Sequence, residues 1–180
     1  MEGYSDHLVS EAFYLSDPDG HGLELYRDRP REAWPMNGDQ LEMANAPIDL
    51  EEFFAEADGD PAAYPGAPDG TRIGHMHLKV GDSSRAVDFY TRVVGFSTTQ
   101  MWHGAGFVSA GGYHHHLGLN QWNSQGGGAP PESSAHLESW TIRVPSTADI
   151  DAAAVRLDAA KVSYTRHDGG LSFADPWGIE

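Results

Sequence analysis

Hydrophobic and polar positions alternate through residues 8–27 as a strand pair requires. Val9 to Leu15 is rich in strand formers, Asp17-Pro18-Asp19-Gly20 is a turn, and Leu23 and Leu25 share one face while Glu24 and Tyr26 share the other. Residues 28–70 change character, with many prolines, glycines and acids and one short helical stretch at 49–57, and read as a connector. Trp34, Leu50, Phe53 and Phe54 predict that the connector packs on something. Alternation returns from Ile73 to Val80, with Met76, Leu78 and Val80 on the apolar face and His75, His77 and Lys79 on the polar one. A helix follows at once. Asp82 or Ser83 caps it, Ala86, Val87, Phe89, Tyr90, Val93 and Val94 form its apolar stripe, and Gly95 stops it.

Glycine-containing turns then separate three expected strands, 96–102, 106–110 and 113–122, so residues 71–123 form a βαβββ module. Residues 124–136, with Gly126-Gly127-Gly128 and Pro130-Pro131, form a loop. A second module occupies 137–180: a strand at 139–144, a helix capped by Ser146 or Thr147 with Ile150, Ala153, Ala154, Leu157 and Ala160 at helical spacing, and strands at 162–167 and 171–174. Asp175-Pro176-Trp177-Gly178 repeats the first turn. The expected fold class is therefore α+β, built from paired βαβββ modules, the second without its last strand, behind an N-terminal orphan hairpin at 1–27.

Composition narrows the chemistry. With 27 acids, 11 bases and a net charge of −16, the chain has no basic footprint for nucleic acid or an anionic membrane surface. It has no cysteine, so any metal must be held by His, Asp or Glu. No apolar run approaches the roughly 18 residues of a membrane span. The N-terminal residues show no signal-peptide pattern, which makes the cytoplasm the expected location.

The segments IGHMHLKV at 73–80, AVDFYTRVVGF at 86–96 and GGYHHHLGLNQW at 111–122, together with the two D-P-x-G turns, resemble the vicinal oxygen chelate superfamily of glyoxalases, bleomycin-resistance proteins and extradiol dioxygenases. SEAFYLSDPDGHGLELYRDRPREAW at 10–34 is most similar to the two-domain catechol-2,3-dioxygenase-like group. The resemblance implies a barrel-like cleft holding a divalent metal, Fe(II) first, with Mn(II) or Zn(II) as alternatives. It also implies a ligand set of two histidines and one glutamate and ring cleavage of a small aromatic vicinal diol. A non-catalytic binding module for a small aromatic or hydrophobic ligand, or a glyoxalase- or lyase-type enzyme, are the alternatives on the same fold.

Residue by residue, the resemblance places His75 at the family's first-strand metal histidine, whereas the equivalent position of the second module is Ser139. The family's metal glutamate lies four residues after the D-P-x-G glycine, which matches Glu24; from Gly178 the count passes beyond Glu180, two positions short. The histidine partners of Glu24 would belong to strands upstream of Met1, so the chain looks like the C-terminal part of a four-module protein or a natural short form of one. A homodimer is the expected assembly, and either a strand-swapped form of it or docking of the 8–27 hairpin where the missing strand should lie would rejoin Glu24 with His75.

Family register puts the acid–base role on His115, while strand alternation would turn His114 and His116 to the cavity instead; a bulge at Gly111-Gly112 or Gly118 reconciles the two. His77, Tyr113 and Trp122 are candidate substrate contacts. Their bland alternatives are groove-lining or core residues, and Glu24 is equally an exposed strand acid of an acidic chain. Self-repulsion at −16 predicts a melting temperature that rises between low and molar salt; a flat or falling melt removes that reading.

Overall fold

The computed structural model describes residues 2–56 and 66–180, which divide into two compact units, Met1–Ile73 and Gly74–Glu180. Residues 57–65 of the expected connector, including the end of its helical stretch, lie outside the described residues.

In the first unit, β2 (Ser10–Ser16) pairs antiparallel with β3 (Gly22–Asp28) around the Asp17–Gly20 turn. The hairpin is not an orphan. A strand not expected from the sequence, β1 (Gly3–Asp6), pairs with β2 to complete a three-stranded sheet, and Asp6 bridges to Ala46. The sequence hid β1 because Gly3, Ser5 and Asp6 carry little strand propensity. The connector folds back on this sheet: Ile48 is buried with Val9 and Ala12, and Phe53 of α1 (Leu50–Ala55) sits 5.1 Å from Phe13, ring to ring. The remaining paired residues are a two-residue ladder, β4 (Met36–Asn37) with β5 (Gln40–Leu41).

The second unit is built on β6 (Met76–Lys79), β7 (Ser97–Trp102), β8 (Ala105–Ser109) and β9 (Leu117–Asn120), ordered β6-β9-β8-β7. The β6–β9 pair is parallel and the others antiparallel. Between β6 and β7 runs α2 (Ser83–Phe89), capped by the Asp82 carboxylate on the Arg85 N–H. It continues through a π-helical turn at Tyr90–Val94 and ends at Gly95, whose φ of 108° only glycine adopts freely. The apolar faces of strands and helix meet in a core of Leu78, Val80, Val87, Phe89, Tyr90, Leu117 and Leu119.

The third expected strand of this module is shorter than 113–122. Gly111 and Gly112, both at positive φ, turn the chain, and the ladder begins only at Leu117, so His114, His115 and His116 precede the strand instead of alternating within it. His116 belongs to this turn. Its ring stacks on Phe96 and its Nδ1 accepts the Ala110 N–H at 3.2 Å.

The second module supplies α3 (Thr147–Ala160) and the hairpin β10 (Tyr164–His167) with β11 (Gly170–Phe173). The Asp149 carboxylate accepts from both the N–H and the hydroxyl of Ser146 at the start of α3. The strand expected at 139–144 does not form. Only two backbone bonds mark its line, Trp140 N–H to Glu180 O and Glu180 N–H to Glu138 O, and a strand needs a longer ladder than that. The repeated turn is real: Gly20 and Gly178 both have φ 85°, and Asp17 and Asp175 each accept two backbone N–H groups.

Side-chain hydrogen bonds tie this module to the residues before it. The Tyr90 hydroxyl donates to buried Asp175 at 3.1 Å, the Trp177 indole donates to Gly127 O, and the Arg156 guanidinium donates to the carbonyls of Val93 and Val94 at 3.1 and 2.6 Å. Arg156 thereby satisfies carbonyls that the helix end leaves open. Arg156→Ala should lower stability by about 2 kcal/mol, or a melting temperature about 4–8 °C lower, measured by thermal unfolding; an unchanged melt would show the contact to be idle.

Burial, with His114 and His75 nearby, holds the pKa of His116 below its ordinary value. Protonating Nδ1 also breaks the bond to Ala110. Because the folded pKa lies below that of the unfolded chain, this stability is complete above about pH 6.5 and declines as pH falls toward the folded value. Melting curves between pH 8 and 5 should show that decline in the natural chain and a shallower one in His116→Gln; equal slopes would refute the assignment.

Candidate metal centre

Parallel strands start at the same end of a sheet. Pairing Met76 with Leu117 therefore brings the residues just before β6 and just before β9 together, although they are about forty positions apart. His75, His77 and His115 meet there, each offering one ring nitrogen, with all three within 4.8 Å of one another. His77 Nε2 and His115 Nε2 are 3.3 Å apart. The His75 ring stacks on His115 with centroids 4.3 Å apart. His115 is buried, His75 half-buried and His77 exposed, so the group has a closed side and an open one.

Its surroundings are specific. His114 is fully buried, and its Nδ1 lies 2.9 Å from His115 Nδ1, so one proton sits between the two rings. Phe107 presents an edge to both His77 and His115. Gly118, opposite His77 in the ladder, leaves the space the imidazole fills: a Cβ there would stand 2.7 Å from His77 Cε1. Tyr113 packs on His114 and His116, at 4.1 and 5.0 Å between centroids.

Other expected site residues lie elsewhere. Trp122 comes after the far end of β9, exposed, with its indole directed at His103 O, so the structure does not bring it to the histidines. A cavity of about 600 Å³ at that far end is lined by Asp82, Trp102, His103 and Gln121. Glu180 uses its backbone to pair with residues 138 and 140 and is absent from the histidine group.

Glu24 belongs to the first unit and has company there that the sequence reading missed. Tyr14, directly opposite it in the β2–β3 register, donates to Glu24 Oε1 at 3.2 Å, and Tyr14 Oη lies 2.6 Å from His7 Nε2. The other nitrogen of His7 is held by Ala44 O at 2.9 Å; a carbonyl only accepts, so Nδ1 carries a hydrogen. Burial, followed by the Glu24 charge and hydrogen bond, pushes the Tyr14 pKa well up, which keeps the hydroxyl protonated. The three groups form a line along which a proton can pass. The available signal was the hairpin register, since a turn at 17–20 puts residues 14 and 24 opposite each other.

The sequence profile of the Glyoxalase/Bleomycin resistance protein/Dioxygenase superfamily matches residues 72–180. The chain is 41% identical over 177 residues to the catechol-2,3-dioxygenase of Bacillus subtilis (strain 168), an alignment covering 97% of this chain and 61% of that protein. It thus spans 61% of the length of that relative. Similar solved structures include lactoylglutathione lyase from Agrobacterium tumefaciens, with a TM-score of 0.46 at 18% identity over 62% of this chain and 91% of that one. A glyoxylase/bleomycin resistance protein/dioxygenase domain from Frankia sp. EAN1pec gives 0.47 at 20% identity, over 61% and 92%. With the profile covering more than half its length and the catechol dioxygenase aligned along nearly all of it, this chain belongs to the glyoxalase/bleomycin resistance protein/dioxygenase superfamily.

Proposed function

We propose that the chain is part of a divalent-metal-dependent dioxygenase of the extradiol type, acting on a small aromatic vicinal diol. The observation that carries this reading is the convergence of His75, His77 and His115 at one end of the β6–β9 pair. Imidazole is a ligand for the borderline metals that such oxygenases use, and the geometry fits: Gly118 leaves room for the His77 ring, and His114 fixes which nitrogen of His115 faces the group. The relative named for catechol-2,3-dioxygenase activity supports the substrate class.

His75 is the residue on which the ion depends. Bound there, an ion, Fe(II) first and Mn(II) or Zn(II) as alternatives, would supply Lewis-acid and redox chemistry for the diol. His77, on the open side, borders the approach of the ring, and Tyr113 backs the histidine run with an aromatic face. A member of the run His114–His116 moves the proton the diol releases, a task suited to a group whose ordinary pKa is about 6.5. Phe107 keeps one side of the group apolar and sheds water from it. A closed cleft formed by the paired modules belongs to this reading.

Loading with Fe(II) under anaerobic conditions should give close to one iron per chain and oxygen uptake with catechol, both lost in His75→Ala. Iron-free protein without uptake would sink the proposal. Catechol binding without turnover in the iron-loaded chain would identify a binding module instead.

A further inference from the structure

We propose that Lys79 sets the substrate preference of the histidine site: the favoured diol carries a carboxylate on its ring, and the Lys79 ammonium holds that carboxylate. This rests on the dioxygenase reading above and deepens it, since that reading leaves the rest of the ring undefined.

Register places Lys79. The pairings of β6 with β9, β9 with β8 and β8 with β7 set side chains in rows across one face of the sheet. The first row runs His77, Gly118, Phe107, Gln100, and the next runs Lys79, Asn120, Ala105, Trp102. Leu78 and Val80 point the other way into the core, so Lys79 shares the face of His77 and is exposed there. Two residues of strand separate the rows by about 7 Å. That is the span of a benzene ring with a substituent at each end, so a diol held at the histidines brings its far substituent to the row of Lys79.

The middle of this face suits an aromatic ring. A bulge in β7 adds one residue between Thr98 and Gln100, which puts Gln100 opposite Phe107; without it Gln100 would stand opposite Gly106, on the face packed against Val87 of α2. Trp102, two residues on, lies 5.0 Å from Phe107, edge to face, and Phe107 lies 5.0 Å from His115 in the same manner. Gln100 Oε1 is buried with no hydrogen-bond partner among the described residues. Native interiors rarely leave an acceptor so unless a ligand or a water meets it.

Charge selects the class of substituent. The chain has 27 acids and 11 bases, and only Lys79 and Lys161 are lysines, so most of its surface repels an anion. One ammonium beside the neutral amide of buried Asn120 matches a singly charged carboxylate, whereas a phosphate dianion would need more cations than this row offers.

The test compares catechol with protocatechuate, the same ring bearing a carboxylate, on the Fe(II)-loaded full chain. Binding is read by calorimetry without oxygen, and KM and kcat by oxygen uptake. The natural chain should bind protocatechuate at least about 10-fold more tightly, the scale of one charge-assisted hydrogen bond, with the difference in KM and declining as salt rises. Lys79→Met should bring the ratio of the two affinities near one, and Lys79→Arg should restore it; melting curves check that each variant folds. Equal affinity for both diols in the natural chain, or a preference that persists in Lys79→Met, would overturn this inference and leave the dioxygenase reading standing. A natural chain that takes up no iron, or that when loaded neither binds nor turns over either diol, would overturn both.

Discussion

Parallel pairing of β6 with β9 is the constraint on which the second unit depends. An antiparallel partner for β6 would have carried the residues before β9 to the opposite end of the sheet, and His75 would face a different neighbour. The same register that seats Leu78 beside Leu119 in the core sets His77 beside Gly118 at the rim. Core and chemistry are thus fixed together: a slip of one residue would expose Leu78 and Leu119 and scatter the imidazoles at once.

Legibility in the sequence followed the strength of local signals. Both long helices were readable, because caps at Asp82 and Ser146, a stop at Gly95 and apolar stripes all agree over many residues. The hairpin and both D-P-x-G turns were readable for the same reason. The run His114–His116 was harder. Its alternation could not decide which ring joins His75, because two glycines at positive φ end the strand pattern before it begins, and backbone turns erase the period of two. Strand 139–144 has the residues of a strand and lacks the ladder, which only tertiary pairing supplies. His7 carries no local signal, because Tyr14 reaches it only through the β1–β2 turn and its other partner, the carbonyl of Ala44, lies 37 residues away.

The two polar clusters differ in kind. The first unit joins a carboxylate, a phenol and an imidazole in one hydrogen-bonded line, with unlike groups that can hand on a proton. The second gathers like groups, three imidazoles that each offer one ring nitrogen at the same place. Family membership gives both a context, while the roles they play follow from their own surroundings.

The bonds of Tyr90 to Asp175 and of His77 to His115 close chain segments of very different length, 85 and 38 residues. Loop entropy favours the shorter closure by about 0.7 kcal/mol. Closing the histidine end of the sheet is therefore the less costly of the two steps, and an ion bound there would favour the folded chain over the unfolded one.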